Sequence, residues 1–261
     1  MNISIINDCR DDNAKGRITL RCGVLFNTLV TFVGVSSDLE ASGSLIDLLD
    51  ALSGEESCII VNVAPRNGEG KKWKNGTPFC YFWFGKTLVL SSMAGKTLSL
   101  VKKLRLVDSL FVLEYAASLE ALKEKNIISA EHARRSEKTQ FRSFDFLPFV
   151  CAHLLQHGLL PSRKTALQRV PDSPEVVWWV DNFGNCKTTL LSSELNGSGL
   201  CLQFYKNLSE VPDGEAAVVE GSSGFDDNRF LEVVVQGGNA SSSLGLTSGS
   251  SLAPLCERES L

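Results

Sequence analysis

The sequence predicts two folded parts: an α/β domain whose central sheet is flanked by helices, followed by an all-β, barrel-like domain. In the first half, short apolar runs that suit buried strands alternate with segments whose apolar residues recur at helical spacing. In the last third, short strands are separated by turns rich in Gly, Asn, Asp and Pro. We place the α/β domain at residues 1–160 and the barrel-like domain at residues 165–261.

The first half is predicted to alternate between strands and helices. The strands are residues 3–6, 29–35 and 59–63, with a hairpin formed by 79–84 and 88–90. The helices are residues 42–52, a segment within 111–125, and residues 146–155. In the first of these helices the leucines recur three and four positions apart, so they lie on one face. The first strand ends at Asn7-Asp8, where an α/β sheet presents groups to a ligand.

A linker at residues 159–164 is predicted to separate the two parts. The strands that follow are residues 176–180, 200–205, 215–219 and 231–235. The turn signals between and after them are Asn196-Gly197-Ser198-Gly199, Pro212-Asp213-Gly214 and Gly237-Gly238-Asn239. Short strands with such turns are typical of a small barrel or sandwich.

Composition limits the classes of partner. The chain has 261 residues, 43% of them hydrophobic, and a formal net charge of -4. Its densest basic run, Lys71-Lys72-Trp73-Lys74, is too short for a nucleic-acid-binding face, so we expect no nucleic-acid partner. No apolar stretch approaches the roughly 20 residues that span a bilayer, and we expect no membrane partner. Because the first residues lack the basic segment of a signal peptide, we expect a cytoplasmic protein.

The cysteines and histidines do not suggest a metal site. The eight cysteines are scattered, with no CxxC pair, and most suit small buried residues in a reducing compartment. His153 and His157 are four residues apart, but the acid of a HExxH zinc site is absent. We expect one of these histidines on the core side and the other at the rim, and we expect no metal.

The turn after the strand at residues 176–180 combines several ligand-binding groups. Asp181-Asn182-Phe183-Gly184-Asn185 holds a carboxylate, a carboxamide and an aromatic ring within five residues. This set suits a nucleoside or an amino-acid ligand. The same residues also suit an ordinary turn in which the Asp181 side chain caps the backbone. If only this turn is considered, the structural role is preferred over ligand binding.

Three segments together resemble a known family. The first is Asp181–Asn185, followed by Thr188-Thr189. The second begins at Ser222-Ser223-Gly224-Phe225 and continues through residues 231–240 to Leu244-Gly245-Leu246. The third is residues 141–154. Asn7-Asp8 resembles the Thr-Asp pair near the start of family sequences, but more weakly. These motifs are similar to those of the S-adenosyl-L-methionine (SAM) hydroxide adenosyltransferases, relatives of the SAM-dependent chlorinase and fluorinase.

The resemblance implies a reaction and a set of ligand-binding residues. Family enzymes hydrolyse SAM to adenosine and methionine by attack of water at C5′, with SAM as substrate and no cofactor. They form homotrimers in which SAM lies between one subunit's first domain and its neighbour's second. By this resemblance Asp8 would bind the ribose hydroxyls. Asp181, Asn185 and Ser222 would hold the amino-acid end and the adenine edge, and Phe183 would lie against the ligand.

The residues that activate water in the family are replaced here. Ala64 stands in place of the family's Asp, Lys71 in place of its Arg, and Arg142 in place of its His. An arginine stays protonated and cannot act as a general base. We therefore leave the catalytic residues unassigned. Glu69 or Asp145 could orient water, although a loop acid and a helix-start acid are the simpler interpretations.

Three functions remain open from the sequence. The favoured expectation is an enzyme that hydrolyses SAM to adenosine and methionine with a rearranged site. The alternative is an inactive homologue that binds SAM or another adenosine compound. A SAM-dependent halogenase is the third, because Ser143 aligns with a halide-binding serine of the fluorinase. A loop or helix-cap serine is the simpler interpretation of Ser143.

Overall fold

A computed structural model describes residues 1–65, 76–197, 200–253 and 255. The chain divides into two compact units. The first consists of Met1–Leu45 and Leu52–Pro171, and the second of Ile46–Ala51 and Asp172–Leu261. The predicted domain limits, 1–160 and 165–261, stay a prediction about the extent of the two domains.

The first unit contains an α/β sheet with its helices. Its strands are β1 (Asn2–Asn7), β2 (Val30–Gly34), β3 (Ser57–Asn62), β4 (Phe79–Phe84), β5 (Thr87–Ser92), β6 (Ser109–Leu113) and β7 (Ser162–Ala166). Its helices are α1 (Asp12–Phe26), α2 (Asp38–Leu52, in part grouped with the second unit), α3 (Ser99–Lys103), α4 (Tyr115–Glu124), α5 (Ala130–Ser136), α6 (Arg142–Asp145) and α7 (Leu147–His157).

Among the described residues, these seven strands form one sheet in the order β2-β1-β3-β5-β4-β6-β7. Strands β2, β1, β3 and β5 run parallel, while β4 is antiparallel to both of its neighbours. Strands β1, β3 and β5 are nearly fully buried, and their apolar residues are Ile, Leu, Val and Cys, as expected for parallel strands covered on both faces. Their carboxyl ends therefore meet at one edge of the sheet.

The second unit is built on a smaller sheet. Its elements are β8 (Val177–Val180), β9 (Cys186–Leu191), β10 (Phe204–Tyr205), β11 (Ala216–Phe225), β12 (Asn228–Val235) and α8 (Ala240–Leu244). In the described part of this unit the strand order is β10-β11-β12-β9-β8, antiparallel except for the β10–β11 pair. The predicted fold class, an α/β part followed by a β part, is confirmed.

Several elements differ from the sequence prediction. Helix α1 was not predicted, because its periodicity is weak: Ile18 and Cys22 are buried, whereas Leu20 and Val24 are 70% and 77% exposed. The predicted helix within 111–125 begins only at Tyr115, since the preceding residues form β6.

The predicted linker also contains regular structure. Residues 162–166 form β7, an edge strand that pairs with β6. Its Ser-Arg-Lys-Thr sequence is polar because an edge strand exposes much of its surface, so it lacked the apolar signal of a strand. The predicted strand at 200–205 is confined to Phe204–Tyr205. The turn predicted at Asn196–Gly199 extends outside the described residues.

The histidine prediction is confirmed. His153 is buried, and its Nε2 lies 3.0 Å from the carbonyl oxygen of Leu159, whereas His157 is exposed. In the described ranges, no group of three His, Cys, Asp or Glu side chains is placed to hold a metal. Of the helices in those ranges, none has the length and apolar character needed to cross a membrane.

Candidate functional site

A cavity of about 590 Å³ opens in the first unit at the carboxyl edge of its parallel strands. Cys9 lies just after β1, Asn62 ends β3 and Ser92 ends β5, and all three line the cavity. Helices α4 and α6 supply Tyr115 and Arg142 to the wall. Open α/β sheets bind ligands at this edge, so the cavity is a candidate site on topological grounds.

Arg142 brings a positive charge to the cavity wall. Its Nη2 donates a hydrogen bond of 2.6 Å to the carbonyl oxygen of Thr77. Its guanidinium carbon lies 5.0 Å from the ring centroid of Phe79 and 5.2 Å from that of Tyr115. Burial lowers the pKa of Arg142, but an arginine remains charged at any relevant pH. Gly76, at φ +75°, leaves the space that the guanidinium fills.

Tyr115 is not placed to act as a base. Its hydroxyl donates a hydrogen bond of 2.6 Å to the carbonyl oxygen of Ser136. Burial raises the pKa of Tyr115 to about 12, although the nearby Arg142 opposes that shift. The phenol is therefore protonated at neutral pH and its proton is already engaged.

Asp8, predicted to bind ribose hydroxyls, lies at the same edge of the first sheet. Its Oδ2 accepts a hydrogen bond of 2.9 Å from the backbone N–H of Ala64. The side chain of Asn7 joins the same two turns, because its Oδ1 accepts from Cys9 N and from Asn62 Nδ2, at 3.0 Å each. These bonds hold the turn after β1 against the turn after β3.

Of the two acids considered for orienting water, Asp145 is among the described residues. Asp145 is buried, and its Oδ2 accepts from the hydroxyl of Thr139 at 2.8 Å while its Oδ1 lies 3.6 Å from Arg135. These contacts give Asp145 a structural role outside the cavity wall. Glu69 and Lys71 lie outside the described residues. Among the cavity-lining residues that the structure describes, Glu137 is the one carboxylate and there is no histidine.

In the second unit, Asp181 organises the turn that follows β8. Its Oδ1 accepts from the backbone N–H groups of Phe183 and Asn185, at 2.9 Å each. Its Oδ2 accepts from Nδ2 of Asn185 at 3.1 Å, and the backbone N–H of Asp181 donates to the carbonyl oxygen of Asn185. The structural interpretation of Asp181 is therefore correct, whether or not the turn also binds a ligand.

The same turn contacts a second motif segment. The carbonyl oxygen of Gly184 accepts from the N–H of Ser241 at 2.9 Å. Gly184 has φ +87°, and a Cβ there would overlap the side chain of Asn239, so only glycine fits. Asn239 in turn caps α8 by accepting from the N–H of Ser242. The ring of Phe183, in contrast, is 71% exposed at the tip of the turn.

Ser222 belongs to a cluster around a nearly buried ion pair. Nζ of Lys187 lies 2.8 Å from Oε1 of Glu232, and the two side chains are only 14% and 12% exposed. The same Nζ donates to the hydroxyls of Ser222 and Ser223, at 2.8 and 2.9 Å. This pair was not predicted from the sequence, although the lone Glu232 among the apolar residues of β12 was a usable signal.

The structure thus groups the predicted ligand residues in three places. Asp181, Phe183 and Asn185 share one turn. Within the described residues, no hydrogen bond joins Ser222 to that turn, since its partners are Lys187, Glu232 and Arg229. Asp8 lies in the first unit. The role of all these residues in ligand binding stays a prediction.

Comparison with known proteins identifies what the second unit is similar to. Residues 175–253 match the family model for the SAM hydroxide adenosyltransferase C-terminal domain. This segment contains the Asp181 turn, the Lys187 cluster and α8. The resemblance inferred from the sequence motifs is therefore confirmed for this part of the chain. No curated protein matches the chain.

Two solved structures are similar over nearly the whole chain. An uncharacterized conserved protein from Thermotoga maritima has a TM-score of 0.61 and 18% identity, with 95% of this chain and 97% of that chain covered. A conserved hypothetical protein from Thermus thermophilus has a TM-score of 0.57 and 19% identity, with 95% and 96% covered. At these identities the likeness concerns the fold.

Proposed function

We propose that this chain, which is SAM hydroxide adenosyltransferase-like, binds SAM or a related adenosine compound and holds it without efficient hydrolysis. The observation that supports ligand binding is the family match over residues 175–253, which include Asp181, Phe183, Asn185 and Ser222. The observation that argues against efficient hydrolysis is the composition of the first unit's cavity, where Arg142 replaces the family's histidine.

Two groups of the Asp181 turn, the ring of Phe183 and the carboxamide of Asn185, suit an adenosine ligand. The ring of Phe183 is free to lie against a flat base, and a stacked aromatic contact contributes about 0.5–1.5 kcal/mol beyond burial alone. Within the described residues, the carboxamide oxygen of Asn185 accepts no hydrogen bond, so it is available to a ligand donor. Asp181 positions both residues through its bonds to their backbone N–H groups.

Ser222 offers a hydrogen-bond donor and Asp8 a hydrogen-bond acceptor for the ligand. The hydroxyl oxygen of Ser222 accepts from Lys187, which leaves its own O–H free to donate to a ligand carboxylate. Asp8 accepts from Ala64 N, and a carboxylate has further acceptor sites that suit ribose hydroxyls. We propose these two residues as donor and acceptor toward the amino-acid and ribose ends.

Hydrolysis would require a positioned and activated water. The sulfonium of SAM is a good leaving group, so the protein must mainly hold water in line and desolvate it. Arg142 cannot take a proton, Tyr115 is protonated, and Ala64 has no carboxylate. Binding therefore accounts for the cavity better than turnover does.

A second candidate is SAM hydrolysis to adenosine and methionine. The observation that favours it is Glu137, a carboxylate on the cavity wall that could orient water. A SAM-dependent halogenase is the third candidate, since Ser143 also lines the cavity. Both require product formation, which separates them from binding alone.

One pair of measurements tests the proposal. Isothermal titration calorimetry with SAM and with adenosine should give a saturable heat for at least one of them. Incubation with SAM in the presence of chloride or fluoride, followed by chromatography, should give no product above the protein-free control. Adenosine with methionine would establish the hydrolase instead, and a 5′-halo-adenosine the halogenase. Failure of both ligands to bind would overturn the proposal.

We also propose, from the resemblance alone, that the chain forms a homotrimer in the cytoplasm. Sedimentation equilibrium should give three times the monomer mass. A monomeric mass at protein concentrations that bind SAM would contradict the trimer.

A further inference from the structure

We propose that the cavity of the first unit binds an oxyanion, a carboxylate or phosphate group of a small molecule, with the Arg142 guanidinium as its anchor. All residues of this cavity belong to the first unit. The proposal therefore does not require that the second unit bind SAM, and it concerns a ligand group that carries negative charge.

The hydrogen-bonding capacity of Arg142 is mostly unused. A guanidinium has five N–H donors in a planar fork. Across the described parts of the chain, the carbonyl oxygen of Thr77 is the one hydrogen-bond acceptor that Arg142 contacts, and no carboxylate forms an ion pair with it. A guanidinium that served only to brace the chain would be expected to use more of its donors on carbonyl oxygens.

The guanidinium is also held in a fixed orientation. The ring centroids of Phe79 and Tyr115 lie about 5 Å from the guanidinium carbon of Arg142. In such cation–π contacts the cation lies over the face of the ring. The N–H groups at the edge of the plane remain for in-plane acceptors. Two oxygens of a carboxylate or phosphate match this edge in a bidentate arrangement.

The energetic state of the cavity favours an anion. Arg142 is half-buried, and a partly desolvated charge without a counter-ion is unfavourable. Burial accordingly lowers the pKa of Arg142. An oxyanion beside the guanidinium would replace the lost hydration with charge-assisted hydrogen bonds.

The other charges on the wall leave this cation dominant. Glu137 and Lys138 also line the cavity, but both are exposed and their charges are opposite, so they nearly cancel. Thr77, which also lines the cavity, is buried, and its hydroxyl has no hydrogen-bond partner among the described residues. The wall therefore has a spare hydroxyl close to the guanidinium.

The test is calorimetric titration of the full-length protein with inorganic phosphate and, separately, with acetate in a buffer free of other small anions. At least one anion should bind. The anion with the lower dissociation constant shows whether the cavity prefers a phosphate or a carboxylate group. Arg142→Met, which removes the charge but keeps a long side chain, should weaken binding at least about tenfold. Arg134→Met, at an exposed arginine on α5, is the matched control and should leave the affinity unchanged.

Two further variants make the result decisive. Arg142→Lys keeps the charge and loses the fork, so its affinity should fall between those of the wild type and Arg142→Met. If Arg142→Met does not fold, an unchanged affinity in Arg142→Lys overturns the proposal. Binding of neither anion by the wild type, or wild-type affinity in a folded Arg142→Met, also overturns it. Asp181→Ala, in the second unit, should weaken SAM binding at least about tenfold and retain anion binding, so the two proposals fail separately.

Discussion

The Asp181 turn and the Arg142 cavity differ in how their polar groups are satisfied. The turn is closed on itself: the carboxylate of Asp181 accepts three hydrogen bonds from Phe183 and Asn185. The cavity instead keeps a guanidinium whose hydrogen-bond partner, in the described chain, is the carbonyl oxygen of Thr77. The turn is thus organised before any ligand arrives, whereas the cavity has binding capacity to spare.

This difference bears on how the two regions resemble the family: residues 175–253 match its C-terminal model, whereas the substitutions at Ala64 and Arg142 are what the sequence resemblance implies. In the turn, replacing Asp181 or Gly184 would disrupt the backbone conformation. The residues that stabilise the turn therefore also position the predicted ligand-binding groups of Phe183 and Asn185. In the cavity, the side chains at Ala64 and Arg142 can change while the sheet edge that carries them persists. The side chains that line the cavity of the first unit can therefore be substituted while the Asp181 turn of the second unit is retained.

The largest effect on stability is expected from Lys187→Met in the second unit. Glu232 would keep its charge at 12% exposure and lose its ion-pair partner. Removing one partner of a buried ion pair costs about 3–5 kcal/mol. The free energy of unfolding, measured with urea, should fall by this amount.

The control for this prediction is Lys206→Met, at an exposed lysine of the same unit. It should change the free energy of unfolding by less than about 0.5 kcal/mol. Equal stability of Lys187→Met and the wild type would mean that the second unit does not rely on internal pairing, and the contrast with the Arg142 cavity would not hold.

Local features of this chain could be predicted from the sequence, and non-local ones could not. The Asp181 turn was predictable because the hydrogen bonds of the Asp181 carboxylate fall within five residues. Strands β1 and β3 were predictable from their apolar runs. The cavity was not, because Arg142 meets the carbonyl oxygen of Thr77 across 65 positions. The Lys187–Glu232 pair spans 45 positions and forms only when β9 and β12 align.

A gain of activity is the next largest expected effect. The double variant Ala64→Asp with Arg142→His introduces at the cavity wall the two residues that the resemblance implies for active family members. A neutral histidine can accept a proton and an aspartate can orient water, and a positioned base contributes at least about 10²-fold. The initial rate of adenosine formation from SAM should rise by about this factor.

Two results qualify that prediction. Arg134→His on the exposed face of α5 should leave the rate at the wild-type level. If the double variant binds SAM as tightly as the wild type yet forms adenosine no faster, then the residues at positions 64 and 142 do not explain the inefficient hydrolysis that we propose.

A smaller effect is expected from variants of the Asp181 turn. Asp181→Ala removes the acceptor of three hydrogen bonds and should weaken SAM binding at least about tenfold. Asp181→Asn keeps an oxygen for the two backbone N–H groups and should retain more affinity. Calorimetry on the two variants separates a positioning role from direct contact: equal losses would indicate that the negative charge itself meets the ligand.

The smallest expected effect is the pH dependence that His153 adds to the stability of the first unit. Burial lowers the pKa of His153 below its ordinary value of 6.5, and its Nδ1 has no partner among the described residues. Below about pH 6.5 the unfolded chain takes up a proton that the folded chain resists, so stability falls as the pH is lowered. The stabilising contribution is complete above that pH.

His153→Gln should remove this component. Urea denaturation at about pH 7.5 and about pH 5.5 should show a smaller loss of stability in the variant than in the wild type, although the variant is less stable at the higher pH. His157→Gln, at the exposed histidine whose ring lies 4.7 Å away, is the control and should keep most of the wild-type pH dependence. If His153→Gln and the wild type lose the same stability, the acid sensitivity arises elsewhere, and the buried imidazole is a packing residue without a titration effect.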